Sequence, residues 1–361
     1  MSKFNIDGQK LQYHLDRVHQ WKYGDRASVF PIYVEISPVG HCNHRCTFCA
    51  VDYIGYVNRA IPTERLEFVI QDMANHGVRS IMYAGEGEPL LHPDIAQLVV
   101  WTKKNGMDVA LTTNAVALTP KFCHVALDSC SWIKVSCNAG NAEAYSAIHK
   151  TNNKDWDRVW SNIDYALGLR FNSNSTVAIG VQCVLLPENE DTIIELARQC
   201  KYVGVDYLVI KPYSQHLKSH NTKHASVQYS TKYDQLFSDL QQFVSSKFEI
   251  VVRKAAMDSW DEADRKHDYE KCYSTPMFWA YIMANGDVYG CSAYLQDDRF
   301  KYGNIEEDLF SDIWMGEKRL KAIEFVEKEL DITECRKNCR MHQCNKFLWE
   351  VENGVLHKNF V

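Results

Sequence analysis

Two periods of apolar residues alternate along the first two thirds of the chain. Strand-like runs fall at 33–37, 80–84, 108–112, 132–136, 177–184 and 207–210. Between them apolar positions recur at helical spacing. Leu66, Val69, Ile70 and Met73 follow Pro62 and Thr63 and stop at Gly77; a second helix is predicted over 94–105, ending at Gly106. Helical material follows the fourth run as far as 169, and Ile193, Leu196, Ala197 and Cys200 mark one face of a helix over 191–203. Strands alternating with helices imply βαβ units and a parallel sheet. A parallel barrel builds its site from loops at the C-terminal strand ends, so chemistry should recur just after each run.

It does. The first run leads into Cys42, Cys46 and Cys49, spaced Cys-x3-Cys-x2-Cys. A fully ligated four-iron cluster uses four thiolates, so three leave one iron open to another ligand. Zinc is the competing reading, since it takes four cysteines or three with a histidine, and His41 or His44 could complete the set. Thirteen cysteines, an odd number, and no secretory signal disfavour a disulfide framework and predict a reducing, cytoplasmic location. After the second run come Gly85, Glu86, Gly87, Glu88 and Pro89; after the third, Thr112, Thr113 and Asn114; after the fourth, Ser136, Cys137 and Asn138. Gln182 lies in the fifth, and Lys211 and His216 follow the sixth. Any one of these polar residues taken singly reads better as a cap or loop residue; their recurrence in order does not.

The cysteine triplet, with Phe48 before its last member, resembles the signature of the radical S-adenosylmethionine (radical SAM) superfamily. The resemblance implies an α/β fold, a partial (β/α)6 radical SAM barrel with a [4Fe-4S] cluster on Cys42, Cys46 and Cys49. In that family the open iron chelates SAM, and reductive cleavage yields a 5′-deoxyadenosyl radical that abstracts hydrogen from substrate. Gly85, Gly87 and Glu88 resemble the family's Gly-Gly-Glu-Pro motif, with Glu86 as a departure, and imply a hold on the SAM amino group. Asn114 resembles the Thr-Asn-Gly element, with Ala115 in place of glycine. Phe48, Ser136, Asn138 and Gln182 are implied as further cofactor-binding residues.

A second set, Cys272, Cys291, Cys335, Cys339 and Cys344, follows the barrel, with a hairpin turn predicted at Asn285, Gly286 and Asp287. With Gly303, Asn304, Ile305 and Asp312, Ile313, Trp314 it resembles the small C-terminal cysteine-rich domain of the SPASM and twitch subgroup. The resemblance implies one auxiliary [4Fe-4S] cluster on Cys272, Cys291, Cys335 and Cys339, with Cys344 spare or replacing one of them; four thiolates also suit zinc. Cys123, Cys130, Cys137, Cys183 and Cys200 read as small buried hydrophobes. The organisation expected is an N-terminal extension at 1–30, the barrel at 31–217, a connecting helical segment at 218–268, the auxiliary-cluster domain at 269–350 and a tail at 351–361.

A net charge of −6 gives no electrostatic case for nucleic acid or an anionic membrane, and no apolar run is long enough to span a bilayer. The partners expected are a small-molecule substrate and an electron donor such as flavodoxin or ferredoxin. The substrate expected is a sugar, nucleotide sugar or cyclitol, oxidised with the auxiliary cluster as electron acceptor, or epimerised. Oxidation needs a base: Lys211 and His216 are the first candidates, then Arg253, Asp258 and Asp261. Epimerisation needs a hydrogen donor, for which Cys137 or Cys183 is the candidate. A peptide or protein residue-modifying maturase of the SPASM type is the alternative. About thirty residues precede the first strand, too few for a leader-binding winged-helix module, which favours the small molecule. Asp7, Gly8, His14, Asp16 and Arg17 there are candidates for capping the barrel. A non-catalytic, zinc-stabilised binding protein would require the strand-end motifs to be accidental.

Overall fold

The computed structural model describes residues 4, 9–229, 231–261, 267–354, 357 and 359. After α1 (Leu15–Tyr23), a βα series runs β1 (Tyr33–Ile36), α2 (Thr63–Asn75), β2 (Ser80–Tyr83), α3 (Ile95–Lys104), β3 (Asp108–Thr113), α4 (Pro120–Ala126), β4 (Trp132–Ser136), α5 (Ala142–His149), α6 (Asn153–Ser173), β5 (Ala178–Val184), α7 (Ile193–Val203) and β6 (Tyr207–Lys211). All six strands pair in sequence order and in parallel. The six sequence-predicted strands therefore stand at their places, with ends shifted by a residue or so.

The sheet does not stop there. After α8 (Asp234–Leu240), β7 (Glu249–Val252) adds a further parallel strand to β6. The 218–268 segment, expected to be a connecting helical segment, carries two short helices and, between them, this strand. Following α9 (Lys254–Asp261), β8 (Trp279–Ile282) returns to the opposite edge and pairs in parallel with β1, Tyr33 against Trp279. A hairpin through Gly286, at φ +82°, leads into antiparallel β9 (Asp287–Tyr289) and β10 (Lys301–Asn304). Asn304 closes the hairpin, its Nδ2 donating to Asn285 O and Asp287 Oδ1, both at 2.9 Å. Among the described residues ten strands thus form one sheet, followed by α10 (Phe310–Met315), α11 (Glu317–Lys328) and α12 (His342–Asn353).

Strand alternation divides the residues between two environments. Val34, Ile36, Ile81, Tyr83, Val109, Leu111, Ile133, Val135 and Ile179 face the helices and are fully buried or nearly so. Each such side chain contributes about 1.5–3 kcal/mol relative to exposure. Facing inward at the closed end are Tyr33, Met82, Ala110 and Trp132; nearer the C-terminal ends the inward positions become polar. The extension packs at the closed end. Arg17 donates to the carbonyls of His76 and Gly77, in the turn before β2, at 3.2 and 3.0 Å. His14 and Asp16 sit at the start of α1, away from the mouth, and Asp7 and Gly8 lie outside the described residues. Trp21 and Val18 bury against Tyr273, Phe278 and Leu348, fastening α1 to the C-terminal elements. Arg319, buried among carbonyls, donates to Pro276, Ala27, Trp314 and Val29. No helix among the described residues is long and apolar enough to cross a membrane.

Candidate functional site

A cavity of about 550 Å³ opens at the C-terminal ends of the strands. Cys42, Cys46, Cys49 and Phe48 line it, together with Gly85, Gly87, Glu88, Asn114, Ser136, Asn138, Gln182 and Lys211. The strand-end residues singled out in sequence therefore converge, apart from Pro89, Cys137 and His216.

The cysteine loop is held from several sides. Gly87 packs against it so closely that a Cβ would lie 2.3 Å from Val39 O and 2.5 Å from His41 O. Glu88, buried, accepts from Leu90 N and Thr113 Oγ1 through Oε1 and from Asn114 N through Oε2. Its carboxylate thus fixes the end of β3 rather than facing the cavity freely. Asn114 in turn donates from Nδ2 to Asn43 Oδ1 at 2.7 Å, inside the cysteine loop. Ala115 follows at φ +61°, which explains why glycine suits this position and costs alanine about 1–2 kcal/mol. Asn138 donates from its backbone N and lies by Nδ2 against His149 Nε2, while its Oδ1 accepts from Val184 N at 2.6 Å. Ser136 and Gln182 project from β4 and β5 into the cavity with side chains that bond to no other described residue, so they remain open to a ligand.

Whether iron suits this loop is a question of donors. The thiol of Cys42 is pushed up to about 11 by burial, and those of Cys46 and Cys49 are raised too, for the same reason. Bare thiolates are therefore unfavourable here, and a bound metal cation reverses that balance. N–H groups nevertheless aim at sulfur: His44 N lies 3.4 Å from Cys42 Sγ and His149 Nδ1 lies 3.4 Å from Cys46 Sγ. Tyr56 bonds to Cys49. Donors to sulfur are what cluster thiolates use. His44, Cys46 and His149 also offer ligand atoms within 4.8 Å of one another, but His44 Nε2 faces Asp155 at 3.4 Å.

The second set divides. Cys272, Cys291, Cys335 and Cys339 line a separate cavity of about 30 Å³. Asn345 Nδ2 lies 3.4 Å from Cys272 Sγ, and Tyr294 Oη lies 3.5 Å from Cys335 Sγ. Cys344, in the first turn of α12, borders the large cavity and not the small one. Cys339 borders both. All thirteen cysteines are free thiols.

Several expected roles do not fit the geometry. His216 is buried away from the cavity lining. Its Nδ1 accepts from Lys218 N at 3.1 Å and its Nε2 lies 3.0 Å from Ser292 O, so both nitrogens are occupied. Burial pulls its pKa down to about 4. It fastens the segment after β6, which clasps the cysteine loop: Asp52 accepts from Ser219, His220 and Asn221. Cys137 and Cys183 are fully buried on the helix-facing side, because one residue of shift along a strand reverses the face. Neither reaches the cavity as a hydrogen donor. Asp258 pairs with Lys254 at 2.9 Å, and Asp261 accepts from Tyr229 N. Arg253 does line the cavity.

Sequence reasoning missed Glu86, Glu35, Lys134, Arg336 and Arg340, all on the cavity wall. Glu86 Oε1 accepts from Ala284 N at 2.8 Å, tying the loop after β2 to the end of β8. Its Oε2 is buried with no partner among the described residues, and burial raises its pKa to about 7. The one available signal was its intrusion into a glycine motif.

A family model described as the radical SAM superfamily matches residues 36–200, and one described as an iron–sulfur cluster-binding domain, SPASM, matches residues 272–345. Molybdenum cofactor biosynthesis protein 1 of Dictyostelium discoideum is 26% identical over 222 residues, 58% of this chain and 34% of that protein. GTP 3′,8-cyclase of Chlorobaculum tepidum is 28% identical over 189 residues, 51% of this chain and 55% of that enzyme. The chain thus spans about a third to about half the length of these curated relatives. In fold it resembles SuiB of Streptococcus suis, solved bound to its precursor peptide SuiA, at a TM-score of 0.62 and 20% identity, covering 85% of this chain and 69% of that one. With cysteines, strand ends and both family matches in agreement, the chain belongs to the radical SAM superfamily, carries a SPASM iron–sulfur domain, and uses SAM and [4Fe-4S] clusters.

Proposed function

We propose that this enzyme abstracts hydrogen from a small polar substrate held in the large cavity and passes the resulting electron to an auxiliary cluster. The observation that carries this reading is the position of Cys339, on the boundary between the large cavity and the four-thiol cavity. When bound, SAM and its three-cysteine cluster supply the radical that begins the reaction. Cys42, Cys46 and Cys49 hold that cluster; Cys272, Cys291, Cys335 and Cys339 hold the auxiliary one. Ser136 and Gln182 orient SAM, and Glu88 and Asn114 keep the cysteine loop in place.

Removing an electron from a substrate radical is completed by loss of a proton. Glu86 is the group that takes it, with a buried Oε2 that has no partner among the described residues and a pKa raised by burial to about 7. Residues 269–350 act as the auxiliary-cluster module, and flavodoxin or ferredoxin supplies the starting electron. We place the enzyme in the cytosol, where thirteen free thiols persist. Relatives differ in what their names record: GTP for the cyclase, a precursor peptide for SuiB. A peptide side chain entering the cavity is therefore the second reading.

The test is anaerobic reconstitution with iron and sulfide, followed by electron paramagnetic resonance (EPR) with and without SAM. About eight irons and a spectrum that SAM changes support the reading. About four irons would remove the auxiliary redox role, and tightly bound zinc without iron would overturn the whole.

A further inference from the structure

The part of the cavity wall built by β4, β6, β7 and the C-terminal segment is cationic. Lys134 projects inward from β4 and Lys211 ends β6. Arg253 follows β7 beside it, its N–H donating to Ile210 O at 2.9 Å. Arg336 and Arg340 approach from the segment that carries Cys335 and Cys339. Five cations therefore line one cavity.

Among the described residues, counterions for Lys134, Lys211, Arg336 and Arg340 are few. Glu35 on β1 pairs with Arg340. Glu88 is committed to Leu90, Thr113 and Asn114; Glu86 accepts from Ala284 N through Oε1, and its Oε2 is buried with no partner among the described residues, pairing with none of these cations. Arg336 donates to Ser292 Oγ at 3.2 Å, a neutral partner. Both arginines flank the auxiliary cysteines, so part of their charge answers thiolates. The lysines have no such neighbour: among the described residues no carboxylate lies within ion-pair distance of Lys134 or Lys211. Lys134 instead lies 5.2 Å from the Trp132 ring. Burial, with added repulsion from the neighbouring cations, lowers Lys211 to about 7 and Lys134 to about 8, Glu35 partly opposing the shift at Lys134. Gathering cations in a partly dry wall is unfavourable unless an anion completes it.

A single carboxylate would neutralise one of these charges. A phosphate or diphosphate offers two or more, with several acceptor oxygens suited to guanidinium and ammonium donors. Resting on the radical SAM reading of the cavity given above, we infer that this wall is a phosphate site and that the substrate is a phosphorylated small molecule, held by Lys134, Lys211, Arg253, Arg336 and Arg340.

The test is anaerobic isothermal titration calorimetry of the reconstituted holoenzyme with inorganic pyrophosphate, acetate and a short glutamate-rich peptide. Pyrophosphate is expected to bind at least tenfold more tightly than acetate, and to lose at least tenfold in Lys134→Gln and in Lys211→Gln. Lys134→Arg, which keeps the charge, should retain binding and shows that losses in the glutamine variants are not losses of fold. Pyrophosphate binding no tighter than acetate, or indifferent to both glutamine variants, overturns the inference. Preference for the acidic peptide does so too, in favour of a maturase. The SAM-induced EPR change of the wild-type protein tests the underlying reading separately: its presence without pyrophosphate binding rejects only the phosphate site.

Discussion

His149 Nδ1 lies 3.4 Å from Cys46 Sγ. The backbone N–H of Asn138 donates to the other ring nitrogen, Nε2, at 3.2 Å. Nε2 is thereby the acceptor, the proton sits on Nδ1, and the imidazole donates to sulfur. Tyr145 stacks on the ring at 4.1 Å and holds its orientation. Hydrogen bonds to cluster sulfur raise reduction potential by favouring the more negative, reduced state. Replacing His149 with Phe should therefore make the SAM-binding cluster harder to reduce, seen as a more negative midpoint in an EPR-monitored redox titration. An unchanged midpoint would show that the contact does not tune the cluster.

The two cavities sort the C-terminal cysteines. Cys339→Ala should lower iron content by about half, the share of one of two four-iron clusters. Cys344→Ala, outside the four-thiol cavity, should keep nearly all of it. Iron and sulfide assays on the two reconstituted variants decide the ligand set, and the reverse order would exchange their roles.

Glu86 titrates at about 7 because burial disfavours its charged form. A base acts when deprotonated, so turnover should rise with pH through about 7 and then level off. Glu86→Gln keeps an acceptor for Ala284 N but cannot take a proton. It should slow product formation by tenfold or more and remove the rise, as measured by turnover against pH.

Phosphate affinity should run the other way. Lys211 and Lys134, lowered to about 7 and about 8, both lose most of their charge as pH rises from about 6 to about 9. Pyrophosphate binding should thus weaken as pH rises from 6 to 9. Stability of the ligand-free protein changes with opposite sign. The unfolded lysines titrate near 10.4, so between about 7 and 10 the unfolded state binds more protons and stability rises with pH. Calorimetry and thermal melts across one pH series read both slopes.

Arg319→Ala should destabilise the protein by about 3 kcal/mol or more, because it strands several buried carbonyls and leaves a void. Pro276, Ala27, Trp314 and Val29 each lose a donor. A thermal melt checks this, and Arg319→Lys should recover part of the loss.

The barrel was legible because its strands are short apolar stretches whose ends carry conspicuous chemistry. Alternation then decided much of the site: Ser136 and Gln182 face the cavity, whereas Cys137 and Cys183, one residue on, face the helices. Elements without a local signal were missed. β7 is four residues, each half-buried, and the pairing of β8 with β1 depends on residues far apart in sequence. The cationic wall gathers single residues from β4 to Arg340, with no spacing to betray it. His216 was misplaced because a residue in a strand-end loop can face either the cavity or the clasp over it.

β1 delivers the first cysteine loop, and its neighbour on one side is β2, made soon afterwards. Its neighbour on the other side is β8, made only after the whole barrel. During synthesis the strand that presents Cys42, Cys46 and Cys49 therefore waits, one edge bare, until most of the chain has left the ribosome. The loop after β2, whose Gly87 packs on the cysteine loop, reaches its bond from Glu86 to Ala284 at the same late moment. The edge of the sheet beside the cysteine loop is in this way completed by a strand that comes late in the chain. A prematurely terminated chain would keep its cysteines and lack the edge that steadies them.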